Sequence, residues 1–134
     1  MRSSSLILVD ASIFLAVILE EPERDGIVEL FEGKEIVSVG CLPWEVGNAF
    51  SAMLKRKRLT EAEVTRGWEV FEAISWRSLK ENIGEALRLS SRHNIYAYHA
   101  YYLEAASRYG CPLFSLDYRM KEVGNMEKIP IMEV

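Results

Sequence analysis

Leu6-Ile7-Leu8-Val9-Asp10 is the stretch that decides the fold of this 134-residue chain. Four apolar, partly β-branched residues in a row are typical of a strand buried on both faces, the pattern of a parallel sheet. Residues 11–19 are apolar on nearly every side and predict a buried helix directly after the strand. Asp10 therefore lies at the carboxyl edge of the sheet, where open α/β sheets bind ligands. A charge there needs a partner or a metal ion, unless the carboxylate merely caps the helix that follows.

Short strands alternate with helices along the rest of the chain. Further strands are predicted at 35–39, 74–79, 112–116 and 129–132, with 74–79 at an edge of the sheet. Helices are predicted at 23–31, 41–57, from 60 onward, and at 80–93, 96–109 and 118–123. This alternation predicts an α/β fold, a three-layer α/β/α sandwich on a mainly parallel sheet of about four to five strands. We expect a single domain over residues 1–134.

Two local signals mark helix ends, and the apolar pattern predicts which helix faces are buried. Thr60 and Glu63 match a capping box, and Gly110 suits the position after the helix at 96–109. The helix at 80–93 is expected to turn a face with Ile83, Leu87 and Ala86 towards the core.

Four large aromatic residues exceed what one small core can take, so we expect a homodimer that buries some of them. They are Trp68, Phe71, Tyr101 and Tyr102.

The composition limits the classes of function. Apolar residues make up 49% of the chain and charged residues 27%, as in an ordinary globular protein. A net charge of −4 argues against a general nucleic-acid coat protein, which depends on neutralising phosphates. It leaves room for a nucleic-acid enzyme whose acidic site is neutralised by bound cations.

The cysteines and the N-terminal segment bear on the cellular compartment. Cys41 and Cys111 suggest neither a disulfide framework nor a zinc site, which favours a reducing compartment. Arg2 before an apolar stretch resembles a signal peptide, but Asp10 interrupts that stretch after four residues. Residues 6–19 are also too short and too acidic to span a bilayer. We expect a cytoplasmic protein without a membrane segment.

Three acidic residues are candidates for chemistry. Asp10 and Asp117 each follow a buried strand, so their carboxylates meet at one edge if those strands are neighbours. Glu45 lies in the first turn of a helix and points away from the apolar stripe, along the line of Asn48 and Ala49. Taken alone, Glu45 needs no function, because the helix dipole stabilises an acid there. Carboxylates held together repel unless a cation lies among them, and Mg²⁺ suits such oxygen ligands.

Four motifs, in order, resemble those of the PIN-domain ribonucleases, and within them the VapC-type toxins of toxin–antitoxin pairs. They are residues 8–12 around Asp10, 43–50 around Glu45, 96–106 and 113–117. The resemblance implies a metal-dependent endoribonuclease that hydrolyses RNA phosphodiester bonds, with Asp10, Glu45 and Asp117 as ligands of Mg²⁺ or, alternatively, Mn²⁺. It also implies a homodimer and a small antitoxin protein that blocks the site.

The chain departs from this family pattern at His99, where the family carries an aspartate. In one interpretation the imidazole takes part in the site, which would weaken Mg²⁺ and favour later divalent metals. In the alternative the site is damaged, and the protein is a PIN-like module that binds RNA or the antitoxin. The expected catalytic group is Asp10, Glu45, His99 and Asp117. Ser12, Ser115 and Asn48 are expected to position water or phosphate.

An alternative acidic α/β enzyme is a haloacid-dehalogenase-like phosphatase with Asp10 as its nucleophile. That chemistry needs a second aspartate two residues after the nucleophile, and Ser12 stands there instead.

Overall fold

A five-stranded parallel sheet forms the middle layer of the protein in a computed structural model that describes residues 5–134. The strands are β1 Leu6–Val9, β2 Glu35–Val39, β3 Arg77–Leu79, β4 Leu113–Phe114 and β5 Ile131–Met132. The helices are α1 Ala11–Ile18, α2 Arg24–Phe31, α3 Leu42–Lys55, α4 Glu61–Ala73, α5 Ile83–His93, α6 Ala97–Tyr109 and α7 Tyr118–Met126. Arg2, considered above for a signal peptide, lies outside the described residues.

The strand order is β3-β2-β1-β4-β5, and every pairing is parallel. From β1 the chain moves outward through β2 to β3, then crosses back to place β4 on the other side of β1. The order therefore reverses between β1 and β4, which is where open α/β sheets form ligand-binding crevices. The predicted α/β sandwich on a parallel sheet is confirmed.

The two faces of the sheet carry separate apolar clusters, because side chains alternate along each strand. On β1, Leu8 packs with residues of α5, α6 and α7, whereas Ile7 and Val9 pack with residues of α1 to α4. On β4, Leu113 and Phe114 divide between the two faces in the same way. Because both faces of these strands are buried, their sequences are continuous apolar runs rather than alternating ones.

Local signals in the sequence account for several helix ends. The capping box is present: the Glu63 amide donates to Thr60 Oγ1 at 3.2 Å, and the Thr60 amide donates to Glu63 Oε1 at 2.8 Å. Gly110 follows α6 with φ of +67°, a left-handed conformation that glycine adopts without steric cost. The edge strand is shorter than predicted and starts at Arg77 rather than residue 74.

The predicted buried face of α5 is right for Ala86 and wrong for Ile83 and Leu87. The helix buries Ala86 and Leu89, whereas Ile83 and Leu87 are 54% and 52% exposed. The two pairs lie about 110° apart around the helix, and α5 packs on α6 through the line that carries the small alanine. Periodicity identified the helix but not the side that its neighbour covers.

Two further expectations need correction. Phe71 and Tyr102 are buried within one chain, at 3% and 0% exposure, so neither is available to a dimer interface. Helix α7 extends to Met126 instead of ending at 123, because Val123 and Gly124 are still buried against the core.

Among the described helices, none is both long enough and apolar enough to cross a bilayer.

Candidate active site

A cavity of about 240 Å³ lies at the point where the strand order reverses. Asp10 follows β1, and Asp117 follows β4 after two intervening residues, so the pairing of these strands brings both carboxylates to one edge. The cavity is lined by Asp10, Ala11, Ser12, Leu15, Glu45, Ala49, His99, Asp117 and Met120. The structure thus gathers all four side chains of the expected catalytic group around one space.

Asp10 is both a helix cap and a member of the cavity wall. Its Oδ1 accepts a hydrogen bond from the Ile13 amide at 3.3 Å, which caps α1. The side chain is also buried, and this burial raises the pKa of the Asp10 carboxyl to about 6. Hydrogen bonds oppose the rise, while the nearby charge of Glu45 adds to it. Asp10 can therefore cap α1 and belong to the site at the same time.

Two serine hydroxyls hold the Asp10 carboxylate from both sides. Ser12 Oγ donates to Oδ1 and Ser115 Oγ donates to Oδ2, each at 2.6 Å. The same hydroxyls accept backbone amides at 2.9 Å, Ser12 from Leu116 and Ser115 from Asp117. Both serines therefore tie Asp10 to the segment after β4, so their contacts orient a carboxylate of the site.

Glu45 reaches the cavity from the first turn of α3 and has a buried partner on α6. The hydroxyl of Tyr102 donates to Glu45 Oε1, and Tyr102 itself is fully buried. Burial raises the pKa of the Glu45 carboxyl, and the charge of Asp117 acts in the same direction. The Tyr102 hydrogen bond and the proximity of His99 lower it.

Tyr102 is the site residue that the sequence did not reveal. Its place among apolar residues of α6 predicts a packing role, and its partner Glu45 is 57 positions away. The one available signal was the hydroxyl, since a buried tyrosine usually needs a hydrogen-bond partner.

His99 and Asp117 face each other across the cavity. The distance between His99 Nε2 and Asp117 Oδ2 is 3.7 Å, an ion pair when the imidazole is protonated. Asp117 also caps α7, because its Oδ1 accepts the Met120 amide at 2.8 Å. The histidine thus stands where it can neutralise one carboxylate of the acidic group.

Asn48 does not join the site. Its side chain is exposed, and Ala49, one position further on, lines the cavity instead. At about 100° per residue, Ala49 lies nearer to the direction of Glu45 than Asn48 does. The predicted positioning role of Asn48 therefore has no contact to support it.

The donor set suits a hard divalent cation. Asp10, Glu45 and Asp117 offer the carboxylate oxygens that Mg²⁺ prefers. Burial is the main cause of the raised pKa of Asp10 and of Glu45, and repulsion from a neighbouring carboxylate adds to it. A cation between the carboxylates would relieve that repulsion. As placed, residues 5–134 contain no group of three or more His, Cys, Asp or Glu close enough to hold an ion together. The residues fit the metal in kind and line one cavity, but their carboxylates would have to move closer together to share an ion.

A larger groove of about 420 Å³ lies next to this cavity, and Ser12 and Leu15 line both. Its wall is formed by α1, by the end of α3 and by acidic residues after α1. Arg58 is the cation in its lining. The groove therefore borders the cavity that holds the carboxylates.

Comparison with known proteins gives a consistent family assignment. The model of the PIN domain matches residues 7–126. Ribonuclease VapC3 of Pyrobaculum aerophilum is 29% identical over 122 residues, which cover 87% of this chain and 92% of that protein. The crystal structure of PAE2754 from Pyrobaculum aerophilum is similar with a TM-score of 0.72 at 22% identity, over 90% of this chain and 80% of that one.

A second solved structure shares the fold at lower identity. It is VapC20 of Mycobacterium tuberculosis, described as a Sarcin-Ricin loop cleaving toxin. The TM-score is 0.66 at 13% identity, over 88% of this chain and 95% of that one.

Proposed function

We propose that this chain, which belongs to the PIN domain family, is a metal-dependent endoribonuclease of the VapC type. The observation that carries the proposal is the single cavity lined by Asp10, Glu45 and Asp117 at the point where the strand order reverses. The similarity to Ribonuclease VapC3 over most of both chains supports RNA as the substrate.

The three carboxylates would hold Mg²⁺, with Mn²⁺ as the alternative ion. When bound, such an ion supplies Lewis-acid polarisation of the phosphate and neutralises charge that develops on it. Ser12 and Ser115 fix the Asp10 carboxylate, and Tyr102 fixes that of Glu45. Because these partners are themselves buried or hydrogen-bonded to the backbone, they restrict the side-chain orientations of Asp10 and Glu45.

The biological role that we propose is that of a toxin restrained by a small antitoxin protein. The similarity to VapC proteins supports this role, and the groove beside the carboxylate cavity offers a place where an inhibitory segment could lie. A homodimer in the cytoplasm is part of the same proposal.

The test compares the three aspartates of the chain, Asp10, Asp25 and Asp117. Asp10→Asn and Asp117→Asn should reduce RNA cleavage by at least about 100-fold, because each removes a charged ligand worth several kcal/mol of transition-state stabilisation. Asp25→Asn is the matched control, since that side chain is 97% exposed and does not line the cavity. Equal cleavage by folded wild type and Asp117→Asn would exclude this site.

One observation favours a second function, an RNA- or antitoxin-binding module without cleavage. His99 replaces a carboxylate and lies 3.7 Å from Asp117, where its charged form can take the place of a cation. Calorimetric titration with Mg²⁺ and with Mn²⁺ separates the two functions. Heat of binding that is lost in Asp117→Asn supports the nuclease, whereas no heat from either metal supports the binding module.

A further inference from the structure

Buried polar side chains concentrate at the end of β1. The polar or charged residues that are buried in the described chain are Asp10, Ser38, Glu104 and Ser115. Glu104 is paired with Arg108 on its own helix at 2.6 Å, and Asp10 and Ser115 belong to the candidate active site. Ser38 is the remaining one, and it does not line the cavity. Because a buried hydroxyl is costly unless it is hydrogen-bonded, the partner of Ser38 indicates its role.

The Ser38 hydroxyl joins β2 to the end of β1. Its Oγ donates a hydrogen bond to the Val9 carbonyl at 2.6 Å, and the serine is fully buried. This carbonyl and the Asp10 amide belong to one peptide group, because Asp10 follows Val9. The Asp10 amide in turn donates to the Phe114 carbonyl on β4 at 3.2 Å. The peptide group that precedes Asp10 is therefore held from both neighbouring strands.

This hydrogen bond lies where the backbone pairing of β1 with β2 stops. Their last register pair is Leu8 with Val37, whereas β1 pairs with β4 as far as Val9. Strand β2 continues to Val39 and is still paired there with β3. The Ser38 side chain thus connects β1 and β2 one position beyond the end of their register pairs.

The two strands joined in this way lead to two carboxylates of the site. Asp10 follows β1 directly, and Glu45 lies in the first turn of α3, the helix that follows β2. The link is therefore placed to set how far apart the backbones that carry these two residues lie. Ser12, Ser115 and Tyr102 act differently, because they bond to the carboxylates themselves.

The separation of these carboxylates matters for a small ion. Mg²⁺ requires its oxygen ligands in nearly ideal octahedral geometry, whereas Ca²⁺ accepts more varied and more distant ligands. Among the described residues, the three carboxylates are not close enough to hold an ion together as placed. While Ser38 ties the strand ends, the approach that remains is left to side-chain rotation. Without its hydroxyl, the buried Val9 carbonyl loses a partner and would take up water, which moves the strand ends apart.

We infer that Ser38 is a positioning residue, whose hydrogen bond to Val9 sets the separation of Asp10 and Glu45 for a shared divalent ion. This inference rests on the proposed function and adds a supporting residue to the same site. Loss of the hydroxyl should affect Mg²⁺ more than Ca²⁺, since the small ion is the one that is sensitive to the separation.

Calorimetric titration of the metal-free protein with Mg²⁺ and, separately, with Ca²⁺ tests the inference. Ser38→Ala should weaken Mg²⁺ binding roughly 10- to 100-fold, the usual cost of losing a group that supports metal ligands. Binding of Ca²⁺ should weaken less than about 3-fold, because its ligand geometry is flexible.

Ser90→Ala is the matched control. Ser90 Oγ also donates to a backbone carbonyl, that of Ile95 at 2.5 Å, and Ser90 does not line the cavity. Removing this hydroxyl breaks the same kind of hydrogen bond outside the site, so the affinity for both ions should stay unchanged.

Ser38→Thr provides a rescue, since it keeps a hydroxyl and a β-branched residue suits a strand. It should recover most of the Mg²⁺ affinity that is lost in Ser38→Ala. A folded threonine variant that binds Mg²⁺ as weakly as the alanine variant contradicts a role for the hydroxyl.

Hydrogen exchange in EDTA gives a reading that needs no metal. The Asp10 amide should exchange about 2- to 10-fold faster in Ser38→Ala than in wild type, because its peptide group is then held from one side only. The Leu8 amide, which donates to the Pro112 carbonyl at 2.9 Å, is the internal reference. Equal acceleration of both amides shows a general loss of stability and overturns the inference.

Two results of the titration also overturn it. Unchanged Mg²⁺ binding in Ser38→Ala, or equal weakening of Mg²⁺ and Ca²⁺ binding, shows that Ser38 does not set the separation. Failure of the proposed function is a different result: folded wild type and Asp117→Asn then cleave RNA equally in Mg²⁺, whatever the affinity of Ser38→Ala for the two ions.

Discussion

At the scale of single residues, the burial of the Asp10 carboxyl makes the stability of the fold depend on pH. Its pKa rises from an ordinary value of 3.8 to about 6 in the folded chain. Between these values the folded protein holds the proton more tightly than the unfolded chain does. The free energy of unfolding should therefore fall as the pH rises from about 4 to about 6 and stay level above that, as far as Asp10 is concerned.

Asp10→Asn should remove this cost, because asparagine cannot ionise and is an equally good N-cap. We expect the metal-free variant to gain up to about 3 kcal/mol in the free energy of unfolding at pH 7, given about 1.4 kcal/mol per pKa unit. Urea unfolding in EDTA at several pH values measures the gain, with Asp25→Asn at an exposed position as the control. A variant that is less stable than wild type at pH 7 and keeps the same pH slope would contradict the burial explanation.

We propose that His99 influences which metal the site prefers. His99→Asp would add a hard oxygen ligand and one negative charge, so Mg²⁺-supported cleavage should increase and any advantage of Mn²⁺ should shrink. Without metal the new carboxylate faces Asp117, in place of an imidazole 3.7 Å away. The apo variant should therefore be less stable than wild type.

The stability readout makes this prediction independent of activity. Added Mg²⁺ should raise the melting temperature of His99→Asp more than that of wild type, because binding to the folded state stabilises it. The same shift in both proteins, together with unchanged cleavage, would place His99 outside the metal site.

At the scale of elements, the space around Gly67 on α4 and Gly47 on α3 shows how closely these helices approach their neighbours. A Cβ atom at Gly67 on α4 would lie 2.8 Å from Phe50 Cζ on α3 and 3.3 Å from Ile18 Cγ2 on α1. Phe50 is only 3% exposed and sits within the apolar cluster of that face, so its ring has little room to move. Gly47 on α3, in contrast, has open space around its Cβ position.

Gly67→Ala should therefore lower the free energy of unfolding by about 1–3 kcal/mol through overpacking. Gly47→Ala is the matched control within the same helix pair and should raise it by roughly 0.5–1 kcal/mol, because alanine is the better helix former. Denaturant unfolding of both variants measures the difference. The same sign for both changes would mean that backbone preference, rather than close helix contact, governs Gly67.

At the scale of the whole molecule, the homodimer stays a prediction, but the residues that motivate it change. Phe71 and Tyr102 are buried inside one chain, so they no longer call for a partner. Ile83 and Leu87 on α5 are about half exposed instead, and an interface would have to cover such residues.

Light scattering at micromolar concentration tests the association directly. We expect a mass twice the 15.3 kDa of the chain, since closed two-fold dimers are the commonest assemblies. A single species of 15.3 kDa across that concentration range would show that these residues stay in contact with water.

The sequence by itself determined the order of helices and strands and the edge at which Asp10 and Asp117 lie. These features follow from short-range physics: apolar runs, caps such as Thr60 with Glu63, and the rule that parallel strands end at one edge. The family motifs carried the further expectation that Glu45 and His99 join them.

Only the tertiary structure decided which side chains meet. The hydrogen bond from Ser115 to Asp10 joins residues 105 positions apart, and that from Tyr102 to Glu45 joins residues 57 apart. Asn48 and Ala49 both lie close to the line of Glu45, yet only the alanine lines the cavity. Periodicity gives the angle of a side chain about its own helix, whereas the neighbour it faces depends on how whole elements pack, which no local pattern contains.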